Sequence, residues 1–101
     1  MSFRLFIEPE AVKDIQEGIY WYNSQKNRLG HRFYSDVLAS LNQLKKYPFF
    51  QKRYDDVRCV PLKKFPFLIH FTVDEQEKRI SIRAVFNTAR NQESLKKRTE
   101  K

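Results

Sequence analysis

The side chains able to do chemistry in this 101-residue chain are two histidines, one cysteine and a large set of arginines and lysines. Arg58, His70 and Arg83 fall in three separate segments of strand-like alternation, with Lys63, Lys64 and Arg90 near the ends of those segments. A guanidinium fork binds phosphate or carboxylate through two parallel hydrogen bonds. Gathered on one sheet face, Arg58, His70 and Arg83 make a groove for an anion; dispersed, they are separate solvated charges. Arg83, Arg90 and His70 are the catalytic candidates, and Arg58, Lys63, Lys64, Arg83 and Arg90 the binding ones. An unperturbed histidine titrates near neutrality, which makes His70 a candidate for acid–base work, although the sequence names no partner for it.

Other chemistries find no support. No Cys, His and carboxylate cluster has metal-ligand spacing, so neither a metal nor a cofactor is expected. The two glycines, Gly18 and Gly30, do not follow strands, which removes a phosphate-cradling loop. Cys59 stands alone, so it forms no internal disulfide and no CxxC pair, and it reads as a small buried hydrophobe in a strand.

The charge is unevenly spread. Twenty basic against twelve acidic residues give +8. Residues 1–43 hold five of each sign, so the whole excess lies in residues 44–101. Such asymmetry directs a positive field toward an acidic protein segment or a nucleic acid. Fifteen per cent aromatic content lets a short chain bury enough area for one core, so a single domain over 1–101 is expected, with its core at about 3–91 and a basic tail at 92–101. No apolar run reaches the roughly 20 residues of a membrane span, and Met1-Ser2-Phe3-Arg4 opens no signal peptide, so no membrane contact and a cytoplasmic location are expected.

The positioning elements follow from periodicity. Phe3 to Ile7 reads as a short strand, and Pro9 between Glu8 and Glu10 starts a helix running to about Ser24. Its stripe is Ala11, Ile15, Ile19 and Tyr22, with Gly18 beside it where a neighbour packs closely. Trp21 and Tyr22 read as core aromatics, the other reading being a binding platform. After a polar break at 23–27, Leu29, Phe33, Val37, Leu41 and Leu44 mark a second helix, ended by Pro48. The period then falls to two. Val57 to Val60, Phe65 to Val73 and Arg79 to Asn87 read as strands, the last two joined by a hairpin at 74–78 and the middle one central. In the last strand Ile80, Ile82, Ala84 and Phe86 are expected beneath the helices and Ser81, Arg83, Val85 and Asn87 on the open face. The fold class is α+β: a strand, a helical hairpin and a three-stranded antiparallel meander (βααβββ), then the short basic tail.

Several segments in this order resemble the RelE/ParE superfamily, the toxins of bacterial toxin–antitoxin pairs. They are the opening strand with Pro9-Glu10-Ala11, Tyr20-Trp21-Tyr22, Arg32-Phe33, Tyr47-Pro48, Phe65-Pro66-Phe67-Leu68-Ile69 and Val85-Phe86-Asn87-Thr88-Ala89-Arg90. The resemblance runs from about Phe3 to Asn91 and implies a cognate antitoxin whose acidic, partly disordered tail folds over the toxin. It implies one of two targets, DNA gyrase for the ParE-like branch or ribosome-bound mRNA for the metal-free ribonuclease branch. Leu68 stands where the ribonucleases usually carry an arginine, and no tyrosine follows Arg90. The Phe-Pro-Phe strand is closer to the ParE-like branch, although Asn87 occupies a position often held there by histidine. A third reading is a non-toxic basic binding module.

Overall fold

The computed structural model describes residues 3–88. The chain runs β1 (Arg4–Ile7), α1 (Pro9–Gln25), α2 (Leu29–Lys46), β2 (Lys52–Tyr54), β3 (Val57–Pro61), β4 (Phe67–Asp74) and β5 (Arg79–Asn87). Pro9 opens α1, where its missing N–H costs nothing, and Glu10 sits in the positively polarised first turn. Lys45 and Lys46 occupy the last turn of α2, at the negative end of its dipole. Arg28 turns the chain between the helices in the left-handed region, at φ 69°.

The five strands form one sheet in the order β1-β5-β4-β3-β2. The expected α+β class and the central place of β4 both hold. Two details differ from the expected meander. Lys52–Tyr54 adds a short edge strand against β3, and β1 joins the sheet at its other edge, parallel to β5, with Arg4 opposite Arg79 and Ile7 opposite Ile82. The three polar or half-polar residues of β2 carry no alternation of their own. They are extended because β3 offers them a ladder.

Both helices cover one face of the sheet. Ala11, Ile15, Phe33, Val37, Leu41 and Leu44 meet Ile69, Phe71, Ile80, Ile82 and Val85 in one core. Phe33 is fully enclosed, its ring 5.3 Å from Tyr22, 5.5 Å from Phe65 and 4.8 Å from Phe67. Tyr22 is therefore a core aromatic, whereas Trp21 stays more than half exposed.

A β-bulge overturns part of the expected face assignment. His70 pairs with Ala84 but Phe71 pairs with Ile82, so Arg83 is an extra residue in β5. One inserted residue exchanges the faces of everything beyond it. Ile80 and Ile82 do lie under the helices, but Ala84 and Phe86 form a separate buried pair on the other face. Val85 returns to the helix-side core. β1 accompanies β5 only as far as Ile82, and past that point the Asp14 carboxylate of α1 accepts the Val85 N–H at 3.0 Å.

Both glycines are forced by close packing. A Cβ on Gly18 would lie 2.5 Å from the Phe33 ring, and one on Gly30 would strike the Ile19 carbonyl and Asn23. The Gly30 N–H also donates to Asn23 Oδ1 at 2.8 Å, fastening the start of α2 to the end of α1. Gly18→Ala is expected to lower stability by about 1–3 kcal/mol through overpacking. Gly30→Ala should cost more, because a backbone carbonyl cannot swing aside. Urea denaturation midpoints measure both, and Phe33→Leu placed on Gly18→Ala should recover part of the loss.

Candidate functional site

The sequence candidates separate into three places. Register alone divides the first set: Arg58 pairs with Phe71 and Cys59 with His70, so Arg58 and His70 project from opposite faces. The shared groove of Arg58, His70 and Arg83 is thus not formed. Arg58 lies on the helix side, where its Nη1 donates to the Phe50 carbonyl at 2.7 Å and its guanidinium lies 5.8 Å from the centre of the Phe49 ring. It holds the chain between α2 and β2.

On the face away from the helices, His70 is 1% exposed and so does not line an open surface. Its Nδ1 is 3.2 Å from the Tyr54 hydroxyl and 3.3 Å from Cys59 Sγ. Its ring also contacts Phe86, with centroids 6.0 Å apart. Burial pushes the Cys59 thiol up, while Arg53 draws it partly back. Cys59 is accordingly the buried hydrophobe that the sequence indicated.

Arg83 sits on the same face as His70 and is one-third exposed. Its Nη1 is 3.2 Å from Glu8 Oε2, and its Nε donates to Thr72 Oγ1 at 3.3 Å. A half-exposed pair of this kind contributes about 1 kcal/mol or less. Its larger effect is to occupy two of the three guanidinium nitrogens. An anion arriving here meets one nitrogen and a competing carboxylate. Arg90 lies outside the described residues.

Lys63 and Lys64 form the third place. The bend carrying them closes through Leu62 N–H to the Phe67 carbonyl at 3.0 Å, and Thr88 N–H to the Pro66 carbonyl at 2.8 Å ties it to the end of β5. Asp36, buried on α2, accepts the Lys64 N–H at 2.8 Å and pins the bend against the helix. Between helix and bend runs a groove of about 750 Å³, with Leu29, Ala39 and Phe65 among its apolar lining and His31, Arg32, Lys63 and Lys64 among its polar residues. Asp36 is the one carboxylate in this lining, and it is already engaged by a backbone donor. The arrangement suits an extended or helical segment with acidic side chains on its rim and an apolar one on its floor. Asp36, Arg32 and His31 were not candidates from sequence. The signal for Asp36 was an acid three residues after Phe33, inside the apolar stripe of α2.

A smaller hollow of about 270 Å³ lies between α1, the start of β4 and the end of β5, among Asp14, Glu17, Trp21, Phe67 and Asn87. Its carboxylates give it the opposite sign to the groove. Among the described residues no group of three or more His, Cys, Asp or Glu side chains is placed to hold a metal ion, and no helix is long and apolar enough to cross a membrane.

The folded protein binds the Cys59 proton more tightly than the unfolded chain does. Its contribution to stability is full below the ordinary thiol range of about 8.5 and declines as pH rises past it. Cys59→Ala should therefore flatten the fall in stability between about pH 8 and 9.5, read from denaturation midpoints across pH. Tyr22, raised by burial, adds its own decline only at higher pH.

No protein-family model matches the sequence, and no curated protein matches it either. Solved structures do. A chain from the chromosomal ParDE toxin–antitoxin system of P. aeruginosa is similar over 85% of this chain and 96% of its own, with a TM-score of 0.75 and 18% identity. The isolated E. coli RelE toxin is similar over 95% and 98%, with a TM-score of 0.67 and 14% identity. A chain of the RelBE2 toxin–antitoxin complex of Mycobacterium tuberculosis is similar over 86% and 99%, with a TM-score of 0.61 and 10% identity. With its strand, helical hairpin and mixed sheet, this chain has the fold shared by the RelE toxin and by chains of the ParDE and RelBE systems.

Proposed function

We propose that this chain is the toxin of a type II toxin–antitoxin pair, held inactive by an acidic antitoxin segment lying in the groove between α2 and the β3–β4 bend. The groove carries this reading: Arg32, Lys63 and Lys64 surround an apolar strip, and the one carboxylate among its lining residues is bound to the backbone. The excess of positive charge in residues 44–101 attracts an acidic segment to the protein, and Lys63 and Lys64 of that half line the groove. The fold supports the same reading through its likeness to chains of toxin–antitoxin systems.

Of the two toxin activities, the ParE-like one is the better supported, in which the chain inhibits growth by binding an essential target such as DNA gyrase in the cytoplasm. Metal-free cleavage of RNA needs cations free to neutralise the phosphate as its charge builds. Here Arg83 is held by Glu8, His70 is buried, and Leu68, Ala84 and Phe86 share their face. Nothing in this mechanism calls for a cofactor.

Induced expression is expected to arrest growth with DNA-damage signalling and intact mRNA. Codon-phased cuts in primer extension would replace the gyrase reading by the ribonuclease one, and unimpaired growth would overturn toxicity. Co-expression of the product of an adjacent antitoxin gene should restore growth. The triple variant Arg32→Glu, Lys63→Glu, Lys64→Glu should weaken that complex by at least about tenfold, since like charges across an interface cost several kcal/mol. Unchanged affinity of the variant would remove the antitoxin from this groove.

A further inference from the structure

The ten residues from Lys45 to Tyr54 alternate cations with aromatic rings: Lys-Lys-Tyr-Pro-Phe-Phe-Gln-Lys-Arg-Tyr. No carboxylate occurs between Asp36 and Asp55. The structure shows why these rings face solvent. Pro48 is fully buried, so in this extended stretch its neighbours Tyr47 and Phe49 turn outward, 63% and 40% exposed. A tight turn, Phe50 N–H to the Pro48 carbonyl at 2.9 Å, keeps Phe50 beside them at 37% exposure. Arg58 then clamps the Phe50 carbonyl from β3. The aromatic display is thus built and held, not a frayed loop.

We infer that this connection is a stacking platform for single-stranded RNA. Tyr47 and Phe49 meet edge to face, with centroids 5.5 Å apart at 78°; Phe49 is fixed by the Arg58 guanidinium over its ring and by the Phe3 ring edge-on, so Tyr47 is the ring that offers its face to a base while Phe49 backs it. Lys45 and Lys46 at the end of α2, with Lys52 and Arg53 beyond the rings, bracket the platform with positive charge suited to a phosphate backbone. Stacking rings combined with flanking cations are how proteins hold single strands without reading their sequence. Duplex is excluded from the platform because its bases are not free to leave the stack. An acidic peptide would use the cations but leave the face of Tyr47 idle. Beside Tyr47 and Phe50 a hollow of about 150 Å³ has Gln43 on its wall, an amide within the platform for the ribose 2′-hydroxyl that DNA lacks. The platform is distinct from the Lys63–Lys64 groove and does not depend on the toxin reading.

The test is fluorescence anisotropy with the full chain and labelled oligouridylate of about 12 nucleotides, at about 50 and 200 mM salt. The wild type is expected to bind, with affinity falling as salt rises. Tyr47→Ala, at an exposed position where the fold is not at risk, should weaken binding about tenfold, and Tyr47→Phe should keep it. Lys45→Ala with Lys46→Ala should reduce the logarithmic salt slope by about 0.7 for each phosphate that is no longer neutralised. Lys63→Glu with Lys64→Glu should leave the effect of Tyr47→Ala intact, which separates failure here from failure of the antitoxin groove. Absence of binding overturns the proposal, as does binding indifferent to Tyr47→Ala. Equal affinity for duplex RNA or heparin overturns the platform in favour of general attraction to polyanions, and equal affinity for oligodeoxythymidylate overturns the choice of RNA.

Discussion

The Phe33 ring is the contact through which the helices, the sheet and the β3–β4 bend are located relative to one another. It lies against Tyr22 from α1, against Phe65 on the β3–β4 bend and against Phe67 at the start of β4. Gly18 removes the side chain that would exclude it. Four aromatic side chains from three stretches of chain meet there, and an enclosed phenyl group of this kind is worth about 3–5 kcal/mol against alanine. Phe65 also lines the basic groove, so the wall of that groove is an extension of the core. Its geometry is set by packing rather than by the long lysines on its rim.

Most of the architecture was legible because it is written in local periods. The α2 stripe at Phe33, Val37, Leu41 and Leu44 is buried as its spacing demands, and β4 is central as its apolar run indicated. What escaped is non-local or a matter of one residue. β2 has no pattern of its own, and the parallel ladder of β1 on β5 joins residues 75 positions apart, such as Arg4 and Arg79. The bulge at Arg83 inverted the faces of four residues, and alternation within β5 could not reveal it because the extra residue is defined only against β4. The site suffered from the same cause. Arg58 and His70 each lie on a strand as expected, yet the pairing of Cys59 with His70 places them on opposite faces.

Three carboxylates fasten elements of the fold together. Asp36 and Asp14, two of the few acidic groups in the first half, are both engaged by backbone donors, one holding the β3–β4 bend and the other the end of β5. Glu8 holds Arg83. These three carboxylates act as fasteners, while Lys46 at the end of α2 and Lys63 and Lys64 on the bend remain at the surface.

The parallel ladder between the first and last described strands bears on how the molecule is made. Strand β1 leaves the ribosome well before its hydrogen-bonding partners, Arg79 to Ile82. Until they do, Leu5 and Ile7 lack the β5 strand that completes the sheet beside them. Helix pairing through Gly30 and Asn23 is local and can proceed during synthesis, whereas closing the sheet edge must wait for a loop of some 70 residues. The finished sheet, and every surface that depends on it, therefore exists only once β5 has been synthesised, so a partner that recognises such a surface meets the chain late in its folding.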